Sequence, residues 1–211
     1  MFNDYASLVD TIAKYLGYDA DGMIPVFIGL AEQRIQRDAN LRVMERRGTK
    51  STSPGVDFVW LPDKRIPGDW DVYLNMREVS LAASKPVNLA YITPDEYTDR
   101  AGSSGMPRAY SIIGRSLVFA PVPDAAYTVL LTYYARIPPL SDAQPTNDVL
   151  LAYPDLYLYA SLVESVPYAR SSVPGELWAS MYAAAIRDAR HGDDKARYSR
   201  QISAKPPRRF S

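Results

Sequence analysis

Cysteine is absent from this chain, and histidine occurs once, at His191. Those two shortages exclude disulfide staples, thiol nucleophiles and zinc-thiolate centres. Within one chain they also exclude Ser-His-Asp, Cys-His and histidine-based metal devices. The usual indicator of redox compartment goes with them. Net charge is lacking too, since 24 Lys and Arg balance 24 Asp and Glu. No global field is available to hold nucleic acid, and no acidic excess suggests a solvating tail. No run approaches the roughly 20 apolar residues of a membrane-spanning helix. The opening MFNDYASLVD is acidic where a signal peptide would be basic. The expectation is a chain made inside the cell, with no catalytic site, no cofactor, no metal and no membrane partner.

Carboxylates are the remaining source of chemistry. Asp95 with Glu96, and Asp69 with Asp71, could in principle form an acid-base pair of the glycosidase kind. Neighbouring acids at a helix start or in a loop ordinarily serve as caps and solvated charges. His191, beside Gly192, reads as a charge placed favourably at a helix end. Gly102-Ser-Ser-Gly105 lacks the GK[ST] of a phosphate loop, and the Arg and Tyr residues form no recognisable nucleic-acid module.

Apolar residues are plentiful, at 47% of 211 residues, enough for one core with an inserted subdomain. Tyrosine and proline, at 16 and 17, are over-used. Tyrosine joins apolar area to a polar tip, which suits contact surfaces and half-buried strand faces equally.

In chain order, Asn3 or Asp4 caps a helix with Tyr5, Leu8, Val9, Ile12 and Leu16 on one face, ended by Gly17. A second helix starts near Ile24 with Pro25 in its first turn and buries Phe27, Ile28, Ala31 and Ile35. Its far side carries Glu32, Gln33, Arg34, Gln36, Arg37 and Asp38, followed by Arg42, Glu45, Arg46 and Arg47. This charge run reads as a solvated helix face, or else as a lumen or partner contact. From Gly48 the pattern turns to strands, with a short hairpin through Val56, Phe58 and Trp60 stopping at Pro62. Two further strands lie at 76–82 and 86–91, joined near Ser84-Lys85. Thr93-Pro94-Asp95-Glu96 matches a capping box opening a short helix. Ser111 to Ile113 and Leu117 to Phe119 flank Gly114-Arg115, a two-residue hairpin loop whose glycine can take positive φ. A return strand from Tyr127 to Tyr134 is apolar on both faces. A helix from Pro154 to Ser165 and another from about Gly175 to Arg190 then form an antiparallel pair, with Pro167 closing the first.

The fold class expected is α+β, a helical bundle from the N- and C-terminal helices with a β-rich middle and an extended C-terminal tail. The divisions are residues 1–47 for the N-terminal helices and 48–140 for the β-rich region, with its short helix near 94–101. Residues 141–192 supply a helical hairpin that completes the bundle, and 193–211 the tail, giving one domain with an insertion. The tail sets Lys195, Arg197, Arg200, Lys205, Arg208 and Arg209 among Tyr198, Ile202, two prolines and Phe210, too little apolar content to fold alone. It reads as a disordered basic segment or as one that docks in extended form on a partner.

The segments GRSLVFAPVPD (114–124), YTVLLTYYAR (127–136) and PLSD (139–142), then Asn147 and AYPDLYLYA (152–160), occur in an order and spacing that resembles the head-to-tail adaptor proteins of tailed bacteriophages, especially short-tailed ones. AEQRIQRD (31–38) resembles that family's early helix. The resemblance covers about residues 5 to 190 and rests on structural residues. It implies a virion protein at the head-tail junction: a ring, usually of twelve copies, beneath the portal protein, carrying the tail or nozzle protein and passing DNA through its bore during ejection without sequence-specific binding. It also implies a C-terminal segment that reaches the portal, for which Arg200, Ile202, Lys205, Arg208, Arg209 and Phe210 are the candidates. Ring closure needs two different lateral faces, and Tyr127, Val129, Leu131 and Tyr133 are the candidate subunit interface. A bore that passes DNA should avoid strong positive charge, so Arg46, Arg47 and the tail are expected to face protein or the outside. Two other readings are a carbohydrate- or protein-binding tail module using Trp60 and Trp70, and a carboxylate-dependent cell-wall hydrolase.

Overall fold

A computed structural model describes residues 2–17, 22–63, 71–100, 102–169 and 174–198. The chain divides into two compact units, one of Met1–Met44 with Ile137–Ser211, the other of Glu45–Arg136. The architecture is α+β, with helices from both ends of the chain in one unit and the strands in the other.

In the helical unit, α1 (Tyr5–Leu16) starts at Asp4, whose side chain accepts from the Ser7 N–H while the Asp4 N–H donates back to Ser7 Oγ. Gly17 ends it at φ 74°, a left-handed conformation that costs glycine no Cβ clash. Helix α2 (Ile24–Asp38) carries Pro25 in its first turn. Helix α4 (Asp148–Ala152) is capped by Asn147, and α5 (Pro154–Ser165) follows directly. Pro167 sits in a 3-10 turn, Val166–Tyr168, that closes α5. Helix α5 packs against α1, α2, α4 and α6 (Gly175–Tyr198), and Leu156, Tyr157, Ala160 and Leu162 are fully buried on several of its sides. Helices α5 and α6 are antiparallel. Gly175, at the start of α6, lies so near Val166 that an added Cβ would come within 3.1 Å of it, and Tyr153, before α5, bonds Asp193 near the end of α6.

Two expectations change here. The last helix runs to Tyr198, so the first residues of the expected tail are helical, and Asp193 is buried as an acceptor for the Arg42 N–H and the Tyr153 hydroxyl. His191 therefore lies inside a helix, exposed, its Nδ1 3.2 Å from the Arg187 carbonyl oxygen.

The β unit begins at Glu45, where the charge run expected to follow the second helix becomes strand β1 (Glu45–Ser51). The other strands are β2 (Phe58–Trp60), β3 (Tyr73–Leu81), β4 (Val87–Asn88), β5 (Ala90–Tyr91), β6 (Ala109–Ile113), β7 (Ser116–Ala120) and β8 (Thr128–Ala135), with α3 (Pro94–Arg100) between β5 and β6. They form two four-stranded sheets, ordered β1-β8-β3-β4 and β2-β7-β6-β5. The hairpin expected between Gly48 and Pro62 does not form, because β1 pairs with β8 and β2 with β7. The β6–β7 hairpin does form, turning at Gly114 with φ 61°. Strand β8 is not its return strand, since Pro121 and Pro123 lack ladder donors and carry the chain over to the other sheet. Another crossing occurs at Leu89, whose N–H bonds Val79 in one sheet while that of Ala90 bonds Arg108 beside the other.

Between the sheets lies a core of Val79, Leu81, Val129, Leu131 and Tyr133 from the first and Tyr110, Leu117 and Phe119 from the second. Antiparallel partners share a face, so Gly48 stands beside Leu131 on the core side. A Cβ there would touch the Tyr133 ring at 3.4 Å, and glycine leaves that ring its space.

Candidate interaction surfaces and the buried Glu32 node

The core register decides which strand residues remain available for contact. Val129, Leu131 and Tyr133 are buried within the β unit's own core, and Tyr127 packs against them half-buried. The subunit interface expected on these four residues falls on a face of β8 that the β unit's own second sheet packs against. Its other face carries Thr128, Leu130 and Thr132, exposed or half-exposed, opposite Ser51, Thr49 and Arg47 of β1. Arg46 falls on the core side of β1, half-buried, 3.7 Å from Asp71. Arg47 is exposed.

On the second sheet the outer face is split. Helix α3 covers one part, where Tyr97 packs with Ile92, Ala109, Val118 and Ala120. The capping box expected at Thr93 positions this helix, with Glu96 accepting from the Thr93 N–H at 2.9 Å and Thr93 Oγ1 accepting from the Glu96 N–H. The Thr93 N–H, and then the Thr93 hydroxyl donating to the same carboxyl, hold Glu96 below its usual range. The Tyr97 hydroxyl donates to Asp57, and burial, then that bond, push it up to about 12. Beyond α3, Trp60, Ser116 and Ile113 form one cross-strand row on the same face. Trp60 is 54% and Ile113 42% exposed, and the Phe58 ring meets Trp60 edge-on at 5.2 Å. Exposed apolar side chains grouped this way mark contact surfaces more often than scattered ones do.

The helical unit has its own apolar end. The Tyr168 ring lies 5.4 Å from Phe27, and Val166 abuts Gly175, so the end of α5 meets the starts of α2 and α6. Val26, Tyr168 and Leu177 all stand exposed there, with Met181 one turn further along α6. One network braces this unit: Arg34 is ion-paired with Glu164 and lies over the Tyr182 ring, and Tyr182 donates to Asp38 at 2.7 Å.

Glu32 departs from its expected place on a solvated face. It is 5% exposed, and its Oε1 accepts from the Leu140 N–H at 2.8 Å and from the Tyr157 hydroxyl at 3.2 Å. Burial pushes its carboxyl up to about 7 against the pull of those two bonds. The same burial, with Glu32 beside it, raises the Tyr157 hydroxyl well above its usual value. The signal was present in the sequence: Ile28, Glu32 and Ile35 share the i, i+4, i+7 face of the helix.

Of the carboxylate pairs, Asp95 and Glu96 serve the start of α3, Asp71 pairs with Arg46, and Asp69 lies outside the described residues. A cleft of about 470 Å³ in the β unit is lined by Leu61, Tyr73, Arg136 and others, and its one described lining carboxylate, Asp63, is ion-paired with Arg115. Among the described residues no group of three or more His, Asp or Glu is placed to hold a metal, and no helix is long and apolar enough to cross a membrane. Trp70 and the candidate tail residues Arg200, Ile202, Lys205, Arg208, Arg209 and Phe210 lie outside the described residues.

A family model described as SU10 adaptor protein matches residues 3–205. A search of curated proteins finds no match.

Proposed function

The chain belongs to the SU10 adaptor protein family, a family of bacteriophage adaptors, and from that premise we propose that it forms a ring beneath the portal, joins the portal to the tail or nozzle, and encloses the channel through which DNA leaves. Family membership makes it a virion component that meets portal and tail proteins, and points to a structural, non-enzymatic role. The match over 3–205 carries the proposal, since it spans both units and reaches into the basic segment. Two physical features support it. Each unit exposes an apolar group, Trp60 with Ile113 in one and Val26, Tyr168 and Leu177 in the other, as a subunit with several protein neighbours requires. The balanced charge leaves no strong field to retard a duplex in a bore.

With the core face of β8 consumed, the Trp60 and Ile113 row takes the part of the lateral contact in this reading. The basic segment with Arg200, Ile202, Lys205, Arg208, Arg209 and Phe210 is the part that docks on the portal, through arginine pairs and the Phe210 ring. Arg47 and that segment face protein or the outside. In particles assembled without this protein, filled heads should accumulate without tails; normally tailed, infectious particles would refute the role. Deleting residues 202–211 should leave the ring intact and abolish its binding to portal rings, and unchanged binding would sink the docking claim.

A further inference from the structure

We propose that residues 137–147 form a strap closed over α2, and that the Glu32 carboxyl is its proton-controlled latch, shut while protonated and loosened on ionisation. The strap joins the end of the β unit to α4 and has little regular structure, only an isolated bridge between Ser141 and Gln144. Side chains hold it instead. The Ile137 N–H donates to Gln36 Oε1 at 3.1 Å and the Leu140 N–H to Glu32 Oε1 at 2.8 Å, from two residues one turn apart on α2. The Pro138 carbonyl accepts from Asn147 Nδ2 at 2.9 Å, and the Pro145 carbonyl from the Tyr5 N–H at 2.7 Å.

Donor directions in this network are fixed. Asn147 Oδ1 already accepts from the Leu150 N–H, so its Nδ2 donates to the Tyr157 oxygen at 2.7 Å. The Tyr157 proton therefore goes to Glu32 Oε1, which receives two donors, and the acid proton belongs on Oε2. In that form both bonds to Oε1 are kept and no charge is buried. Ionisation puts a charge in the same place. The titratable groups facing it are Tyr157 from α5 and Tyr5 from α1, with Asp142 on the strap acting on Tyr5. None is a cation, and Arg34 is engaged with Glu164 and Tyr182. An ionised Glu32 gains most by meeting water, and its route to water is release of Leu140 and the strap. Burial raises the carboxyl to about 7, so the two forms exchange near neutrality.

Amide hydrogen exchange on the full chain, corrected for the intrinsic rate at each pH, tests the latch. Protection at Ile137 and Leu140 should fall at least about tenfold between pH 5 and pH 8, and at pH 8 both should exchange faster than Leu162, buried in the middle of α5. In Glu32→Gln the pH dependence should vanish. In Tyr157→Phe, which removes a bond that favours the ionised form, the fall should shift to higher pH. An unchanged pH dependence in Glu32→Gln would overturn the proposal, as would Leu140 exchanging no faster than Leu162 at pH 8. Should Glu32→Gln fail to fold, an unshifted profile in Tyr157→Phe would overturn it alone.

Discussion

The backbone N–H of Leu140 donates to Glu32 across 108 positions of sequence, tying the chain that leaves the β unit to the second helix. Because burial raises this carboxyl from 4.5 to about 7 in the fold, the protonated form is the one the fold favours. Stability is then greatest below about pH 4.5, is lost as pH rises towards about 7, and levels off above that. Denaturant titrations should find the difference between Glu32→Gln and the parent chain changing by roughly 3 kcal/mol between pH 4.5 and pH 8, with the variant gaining relatively at high pH. Parallel pH profiles for the two proteins would contradict this.

Leu131 stands between Gly48 and Val79 in the sheet and is 1% exposed in the β-unit core. Leu131→Ala should cost about 2 to 5 kcal/mol of unfolding free energy in the isolated subunit, through lost burial and the cavity left behind. A variant as stable as the parent but defective in self-association would restore Leu131 to an interface.

The opposite pattern is expected at Trp60 and Ile113, whose side chains meet solvent. Trp60→Ser with Ile113→Ser should change thermal stability little, each by about 0.5 to 1 kcal/mol, while weakening self-association at least about tenfold in sedimentation experiments. Unaltered association would remove this row from the lateral contact.

Much of the helical unit was legible in the sequence, because caps and periodicity act locally. Asp4, Gly17, Pro25 and Pro154 stand where their chemistry demands, and Thr93 with Glu96 caps α3 as expected. The strand partners were not. Nothing local tells β1 to seek β8, about eighty positions on, in place of β2, and the chain changes sheet four times, between β1 and β2, β2 and β3, β4 and β5, and β7 and β8. An apolar alternation such as Val129, Leu131, Tyr133 reads the same whether the layer above it is a neighbour or the chain's own second sheet. The charge of Glu32 suggests a solvated face, whereas its place between Ile28 and Ile35 on one side of α2 marks it as buried. The basic composition after Asp193 suggests a tail, whereas Asp193 itself is held by Tyr153 and by the Arg42 N–H within the helix that runs to Tyr198.

The most direct test of the adaptor account is the native mass of the purified chain mixed with portal rings from the same virus. The account predicts one complex whose mass equals the portal ring plus a closed set of adaptor copies, with density for those copies on one face of the portal. A chain that stays monomeric or trimeric and leaves the mass of the portal ring unchanged would contradict it.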